Sequence, residues 1–256
     1  MSINKSTIVF SLYNLLHFTI LNNVDTELIC MIVDLNLTGK RALVIGGGNE
    51  SCRKVEALLS QQCEIIVVAE KAKQSIIDHA KIGKIALNII KIKNLDFLKK
   101  YEQLDLIIAT TDNKDLNREV VLFAKKKYGC YGYAADDPQI SDFSHPSVIN
   151  IADTIQVGIS TGGRSPIIGK ALRKKIEPII KNSIGDLIIH QIKLQASFRV
   201  KAKSTIPSIE YRKRFLINLY NDVKVNECLK ENRLSEAMEV ASDKLDAFVK
   251  SNSSNW

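Results

Sequence analysis

The sequence predicts an α/β protein: a parallel sheet covered by helices, followed by a mostly helical region. Three observations carry this. Short β-branched runs alternate with helical patterns from Arg41 to about residue 150. Those runs are apolar on both faces, as strands buried within a parallel sheet are. Beyond Ser165 the strand signal stops and helical patterning runs on towards the C-terminus.

The elements follow in order. Ile8–Leu21 is apolar, but Ser11, Asn14 and His17 recur every three residues and draw one polar stripe along a helix. The stretch is shorter than a bilayer span and no small-x-small cleavage site follows. Residues 1–30 are therefore expected to be an upstream start or an amphipathic N-terminal extension, with Met31-Ile-Val-Asp-Leu opening the domain. Strands are expected at Ala42–Ile45 and Glu64–Val68, with a helix over Ser51–Gln61 between them. Further strands are expected at Ile85–Ile92, Asp105–Ala109 and Cys130–Ala134, and a helix over Lys114–Lys127. This β-α-β rhythm ends near residue 150. Pro146–Ile151 and Thr154–Ile159 read as two strands joined by a turn at Ala152-Asp153. Helices then follow, broken near Asn182–Gly185, Ser204–Pro207 and Glu231–Leu234.

Composition bounds the function. The 256 residues are 45% apolar and 25% charged, ordinary for a globular chain and unlike a low-complexity one. Net charge is +8, which favours anionic partners such as nucleic acid, a membrane surface or a polycarboxylate. The five cysteines, at 30, 52, 63, 130 and 228, are odd in number and form no C-x-x-C pair. Neither a disulfide framework nor a zinc site is supported, and a reducing cytoplasm is the simple expectation. Cys52 and Cys63 lie in apolar patterns and read as packed residues. His79 and His190 carry no signal, and no array of metal ligands is present in the sequence.

The chemistry starts at Gly46-Gly47-Gly48-Asn49-Glu50-Ser51, a G-x-G-x-x-S turn between strand and helix. Gly46 would make the tight turn, Gly48 would let the backbone approach a pyrophosphate, and Ser51 would let the helix pack on the strand. The first helical turn, Asn49, Glu50 and Ser51, then presents its N–H groups to the phosphates. Glu70, at the end of the second strand, is placed to bind both hydroxyls of a ribose, pointing to NAD rather than NADP. Glu50 is an unexpected negative charge at this helix start, and Ser51 is larger than the usual Gly or Ala.

Downstream come Arg53-Lys54, Ala109-Thr-Thr-Asp112 with Asn117-Arg118, Asp136-Asp137-Pro138, and Ser160-Thr-Gly-Gly-Arg-Ser-Pro166. From about Met31 to Ile180 this set resembles the precorrin-2 dehydrogenase and sirohydrochlorin ferrochelatase family, of the siroheme synthase N-terminal type. The resemblance implies a Rossmann-type NAD-binding domain over residues 31–150 and a dimerisation and substrate-cleft segment over 151–182. A helical C-terminal domain over 183–256 would follow, and the protein would be a homodimer. It implies oxidation of precorrin-2 to sirohydrochlorin with NAD⁺ as hydride acceptor, and in some members Fe²⁺ insertion giving siroheme. Asp136 matches the family's aspartate that handles protons; losing a hydride must be matched by losing a proton. Thr111 and Asp112 would border the nicotinamide, and Thr161, Gly162, Gly163, Arg164 and Ser165 the substrate.

Each of these has a plainer reading. Asp136-Asp137-Pro138 is also a good turn, and Ser165-Pro166 a good helix start. Asn117 can be an ordinary helix residue. His145, where the family is usually apolar, reads as a packed or surface histidine rather than a ligand or proton carrier. A non-catalytic NAD-binding regulatory domain would share the glycine turn and the acid, but has no need of Asp136 or the Ser160–Pro166 element. Nucleic-acid binding has no accompanying motif, and no membrane partner is expected. Between Ser160 and Tyr220, 13 Lys and Arg stand against 3 Asp and Glu. That segment includes Arg164, Lys170, Arg173, Lys174 and Lys175 and suits a ring bearing many carboxylates.

Overall fold

The computed structural model describes residues 31–101 and 103–253. The expected extension over 1–30 lies outside the described residues. The chain divides into two compact units. The first runs to Pro146 and also takes in Ser160–Ser165; the second comprises Ser147–Ile159 and the chain from Pro166 onward.

The first unit is built on a five-stranded sheet of β1 (Arg41–Ile45), β2 (Glu64–Ala69), β3 (Ala86–Ile89), β4 (Leu106–Ala109) and β5 (Tyr131–Ala134). All pairings are parallel and the order is β3-β2-β1-β4-β5. Successive side chains point to opposite faces. Leu43, Ile45, Ile107 and Ala109 therefore pack with Val120, Val121 and Ala124 of α3 (Lys114–Tyr128). Ala42, Val44, Leu106 and Ile108 pack on the other face with Val55 and Leu58 of α1 (Asn49–Leu59) and Ile76 of α2 (Gln74–Lys81). Both faces are dry, which is why these strands alternate so little in sequence. A 3₁₀ helix over Leu95–Lys100 precedes β4.

Local chemistry sets the ends of α3. The Asn113 side chain accepts from Leu116 N–H at 3.0 Å, and Gly129 closes the helix in the left-handed conformation. Asp115 in the first turn and Lys125–Lys127 in the last complement the helix dipole. α2 and the 3₁₀ helix were not expected from the sequence. Both are short, eight and six residues, less than the window of about eleven over which helical periodicity is read.

The second unit opens with a hairpin of β6 (Ser147–Ile151) and β7 (Ile155–Ile159), paired antiparallel. Ala152 and Asp153 both have positive φ, 48° and 49°, the mirror-image turn that suits strand twist. Five helices follow: α4 (Pro166–Ser183), α5 (Asp186–Thr205), α6 (Ile209–Tyr220), α7 (Val223–Lys230) and α8 (Leu234–Asn252). The three expected breaks are present, and a fourth at Asn221-Asp222 is set by Asp222, whose side chain accepts from Val225 N–H. The unit's boundary departs from the expected 150/151 and 182/183 divisions. Ile149 and Ile151 of β6 pack with Ile176 and Ile180 of α4 and Ile189 of α5, so hairpin and helices share one core. No helix of the described residues is long and apolar enough to cross a membrane.

Candidate active site

In open parallel sheets ligands bind beyond the carboxyl ends of the strands, where the strand order reverses. Here that point lies between β1 and β4. The glycine turn follows β1 and meets its neighbours closely. Gly46 has φ +119°, and a Cβ there would lie 2.9 Å from both the Thr110 carbonyl oxygen and Ser51 Oγ. Gly47, the position between the two motif glycines, is tighter still. A Cβ would sit 2.0 Å from the Lys71 carbonyl oxygen, and the Gly47 carbonyl accepts from Lys73 N–H at 2.9 Å. Gly48 differs: its absent Cβ would meet nothing within 4 Å. It is the N-cap of α1 and offers no side-chain cap to the first-turn N–H groups.

The two sequence anomalies in this turn are resolved by their partners. Glu50 is paired to Arg53 at 2.8 Å and to Lys54 at 3.1 Å. Partial burial pushes its pKa up, but the two cations outweigh this and hold it below the ordinary value. Its charge is therefore neutralised within the helix. Ser51 is fully buried and shares a 2.7 Å hydrogen bond with the Thr110 hydroxyl, which donates to the Ile45 carbonyl at 3.0 Å. The hydroxyl thus ties α1 to the ends of β1 and β4, leaving a phosphate no access to its oxygen. Asn49 Oδ1 accepts from Lys73. Glu70 follows β2 directly, exposed, with the Lys91 ammonium 3.7 Å away.

Lys54 is the one buried lysine among the described residues, and its ammonium lies 4.4 Å above the Tyr133 ring. Burial lowers its pKa, against the pull of Glu50. His145 sets its ring edge-on to Tyr133 and Phe143, with centroids 5.1 and 5.5 Å away. The residue as a whole keeps solvent contact. Burial of the ring and then the Lys54 charge push its pKa below the ordinary imidazole value, so it is a neutral packed ring.

The second cluster lies past β4 and β5, and its centre is Asn117, 1% exposed. Its Oδ1 accepts from the Thr111 N–H at 3.0 Å and the Thr111 hydroxyl at 2.6 Å. Its Nδ2 donates to the Thr111 carbonyl at 2.9 Å and to Asp136 Oδ1 at 2.8 Å. One turn of α3 thereby fixes both the loop after β4 and the acid after β5. Arg118 pairs with Asp137 beside it. Asn117 is thus more than an ordinary helix residue: it ties the loop after β4 to the acid after β5. Asp136 itself is exposed at the start of a turn in which Asp137 N–H donates to the Ala134 carbonyl. The expected turn at Asp136-Asp137 is present. Asp112 is exposed next to Thr111.

The loop Ser160–Ser165 belongs to the same compact unit as this sheet. Gly162 and Gly163 take positive φ, 62° and 81°. The Thr161 hydroxyl accepts from Ser165 N–H at 3.0 Å, and the Thr161 carbonyl from Arg164 N–H at 3.2 Å, so the loop closes on itself before α4 begins at Pro166. Among the described residues no group of three or more His, Cys, Asp or Glu could hold a metal ion.

A family model described as NAD(P)-binding matches residues 33–147. The chain is 32% identical over 181 residues to the siroheme synthase of Nitrosococcus oceani, covering 71% of this chain and 36% of that protein. It is 32% identical over 232 residues to that of Thioalkalivibrio sulfidiphilus, covering 84% and 43% respectively. Over most of its length the chain is therefore similar to siroheme synthases. Of the marks that carry the resemblance, the glycine turn and the Asn117–Asp136 cluster lie past the carboxyl ends of strands of one sheet. The matched model makes the cofactor class NAD(P). A solved structure titled SirC, precorrin-2 dehydrogenase, shares the fold at TM-score 0.61 and 20% identity, covering 84% of this chain and all of that one. The chain spans about two fifths of the length of these siroheme synthases.

Proposed function

We propose that this chain is an NAD-dependent dehydrogenase that oxidises precorrin-2 to sirohydrochlorin. One observation carries the reading: Asp136 is oriented by the buried Asn117 amide, two strands from a glycine turn whose helix start is uncapped. The open space at Gly48 and the neutralised Glu50 fit a pyrophosphate there. Glu70 would hold the adenosine ribose through both hydroxyls and disfavour a 2′-phosphate. Its exposed pairing with Lys91 is worth at most about 1 kcal/mol and yields readily to the ribose.

When bound, NAD⁺ supplies the oxidant, accepting the hydride that leaves a ring carbon. Asp136 takes the proton lost with it, so the macrocycle gives up one hydride and one proton for each new double bond. Asn117 donates to one carboxylate oxygen and leaves the other to face the substrate. Thr111 and Asp112 would border the nicotinamide, and Thr161 to Ser165 the carboxylates of the ring. The same carboxylate would strip pyrrole protons in Fe²⁺ insertion, which some members of the family perform with Fe²⁺ as substrate. A homodimer in the cytoplasm is the proposed setting; Cys130 and Cys228 are buried free thiols, and burial raises the Cys130 pKa to about 11.

Anaerobically generated precorrin-2 mixed with the protein and NAD⁺ is expected to give the sirohydrochlorin absorption spectrum. No NAD⁺-dependent turnover would defeat the dehydrogenase and leave the regulatory reading. Asp136→Ala is expected to lower kcat by about 10²- to 10⁴-fold; an undiminished rate would remove Asp136 from the chemistry.

A further inference from the structure

The helical unit has its own recess, lined by none of the residues of the candidate active site. Two hollows of about 820 and 810 Å³ lie along α5 and α6 and share Arg199, Leu216 and Tyr220, so they form one groove. Its walls are unusual in two ways. Arg199, Lys203, Arg212 and Lys213 line the second hollow and no acid lines either. None of the four is in an ion pair among the described residues; Arg212 donates only to the backbone carbonyls of Pro207 and Ser208. Between these cations the surface is apolar, with Ile192, Ile217 and Tyr220 exposed. Gln191, 4% exposed, stands in the wall of the first hollow with its Oε1 unpartnered.

α5 packs Leu194, Phe198 and Ala202 into the core of the helices and leaves Ile188, Ile192 and Val200 exposed. A second copy is a poor occupant. A two-fold interface sets the same patch against itself, and four cations on each side would then oppose four. A nucleic acid is also disfavoured, because a phosphate backbone needs the cations but not an apolar floor, and Tyr220 is the groove's only aromatic ring. An amphipathic ring with carboxylates at its rim matches both features, and the groove is of the size that ligands of that scale occupy.

We propose that the α5–α6 groove is a second binding site for a polycarboxylated tetrapyrrole, separate from the site beside Asp136. This rests on the reading of the substrate as such a ring. The site holds the ring by its apolar face on Leu216, Ile217 and Tyr220 and by its carboxylates on the four cations.

The test is a fluorescence titration of the full chain with uroporphyrin, a stable ring carrying eight carboxylates, at low and high salt. Two equivalents per chain are expected, one of them strongly weakened by salt. In R199E/K213E that equivalent should bind about 30-fold more weakly, with unfolding temperature and turnover at saturating precorrin-2 unchanged. The milder R199Q/K203Q should weaken it about fivefold. An unaltered titration in both variants overturns the proposal. So does a change in sedimentation without a change in ring binding, which would make the groove a contact between copies, or tighter binding of a single-stranded oligonucleotide than of the ring. Failure of the enzyme reading is separable: a variant-sensitive equivalent without turnover supports this site and removes the dehydrogenase. Turnover without that equivalent does the reverse.

Discussion

Asn117→Ala tests whether the amide cluster holds the acid. The substitution deletes four hydrogen bonds at 2.6–3.0 Å, three to Thr111 and one to the Asp136 carboxylate. A neutral hydrogen bond contributes a net of about 1 kcal/mol and one to a charged group about 2, which sums to roughly 5 kcal/mol. Water recovers part of this, because Thr111 is half-buried and Asp136 exposed. About half should remain, so a destabilisation of about 2–3 kcal/mol is expected in urea unfolding, with Tm lower by about 5–10 °C. Turnover of precorrin-2 should fall by about 10- to 100-fold with little change in NAD⁺ affinity, since the acid is misplaced while the glycine turn is untouched. A loss under about 0.5 kcal/mol together with full activity would refute the claim that Asn117 positions Asp136.

The glycines of the turn should separate folding from binding. Gly47→Ala drives a Cβ to 2.0 Å from the Lys71 carbonyl and should cost at least about 3 kcal/mol of stability by thermal unfolding. Gly48→Ala meets open space and should fold within about 1 kcal/mol of the parent, yet bind NAD⁺ at least about tenfold more weakly in calorimetry. Glu70→Ala should weaken NAD⁺ by about tenfold and narrow its preference over NADP⁺; unchanged selectivity would dismiss the ribose role. The depressed pKa of His145 means the fold holds it neutral while the unfolded chain binds a proton below about pH 6.5. The stability this contributes is complete above that pH and is lost as pH falls. His145→Phe should therefore flatten the pH dependence of unfolding below about 6.5, and an unaltered slope would show that His145 does not titrate differently on folding.

The sequence by itself determined the sheet and where its glycine turn falls. Runs such as Leu43-Val-Ile45 and Ile107-Ile108 can only be strands dry on both faces, and a glycine turn after the first of them has one usual purpose. These signals are local, so they survive without coordinates. Glu50, Ser51 and Asn117 could not be assigned that way. Whether an acid in a helix start repels phosphate depends on where Lys54 and Arg53 put their charges. Whether Ser51 faces a ligand depends on Thr110, 59 residues away, and the value of Asn117 depends on Asp136, 19 residues on. The extent of the second unit was settled in the same way, when Ile149 and Ile151 found partners on α4 and α5. Such partners meet only because parallel strands bring their carboxyl ends to one edge and helices fold back over them, a proximity that chain order does not encode.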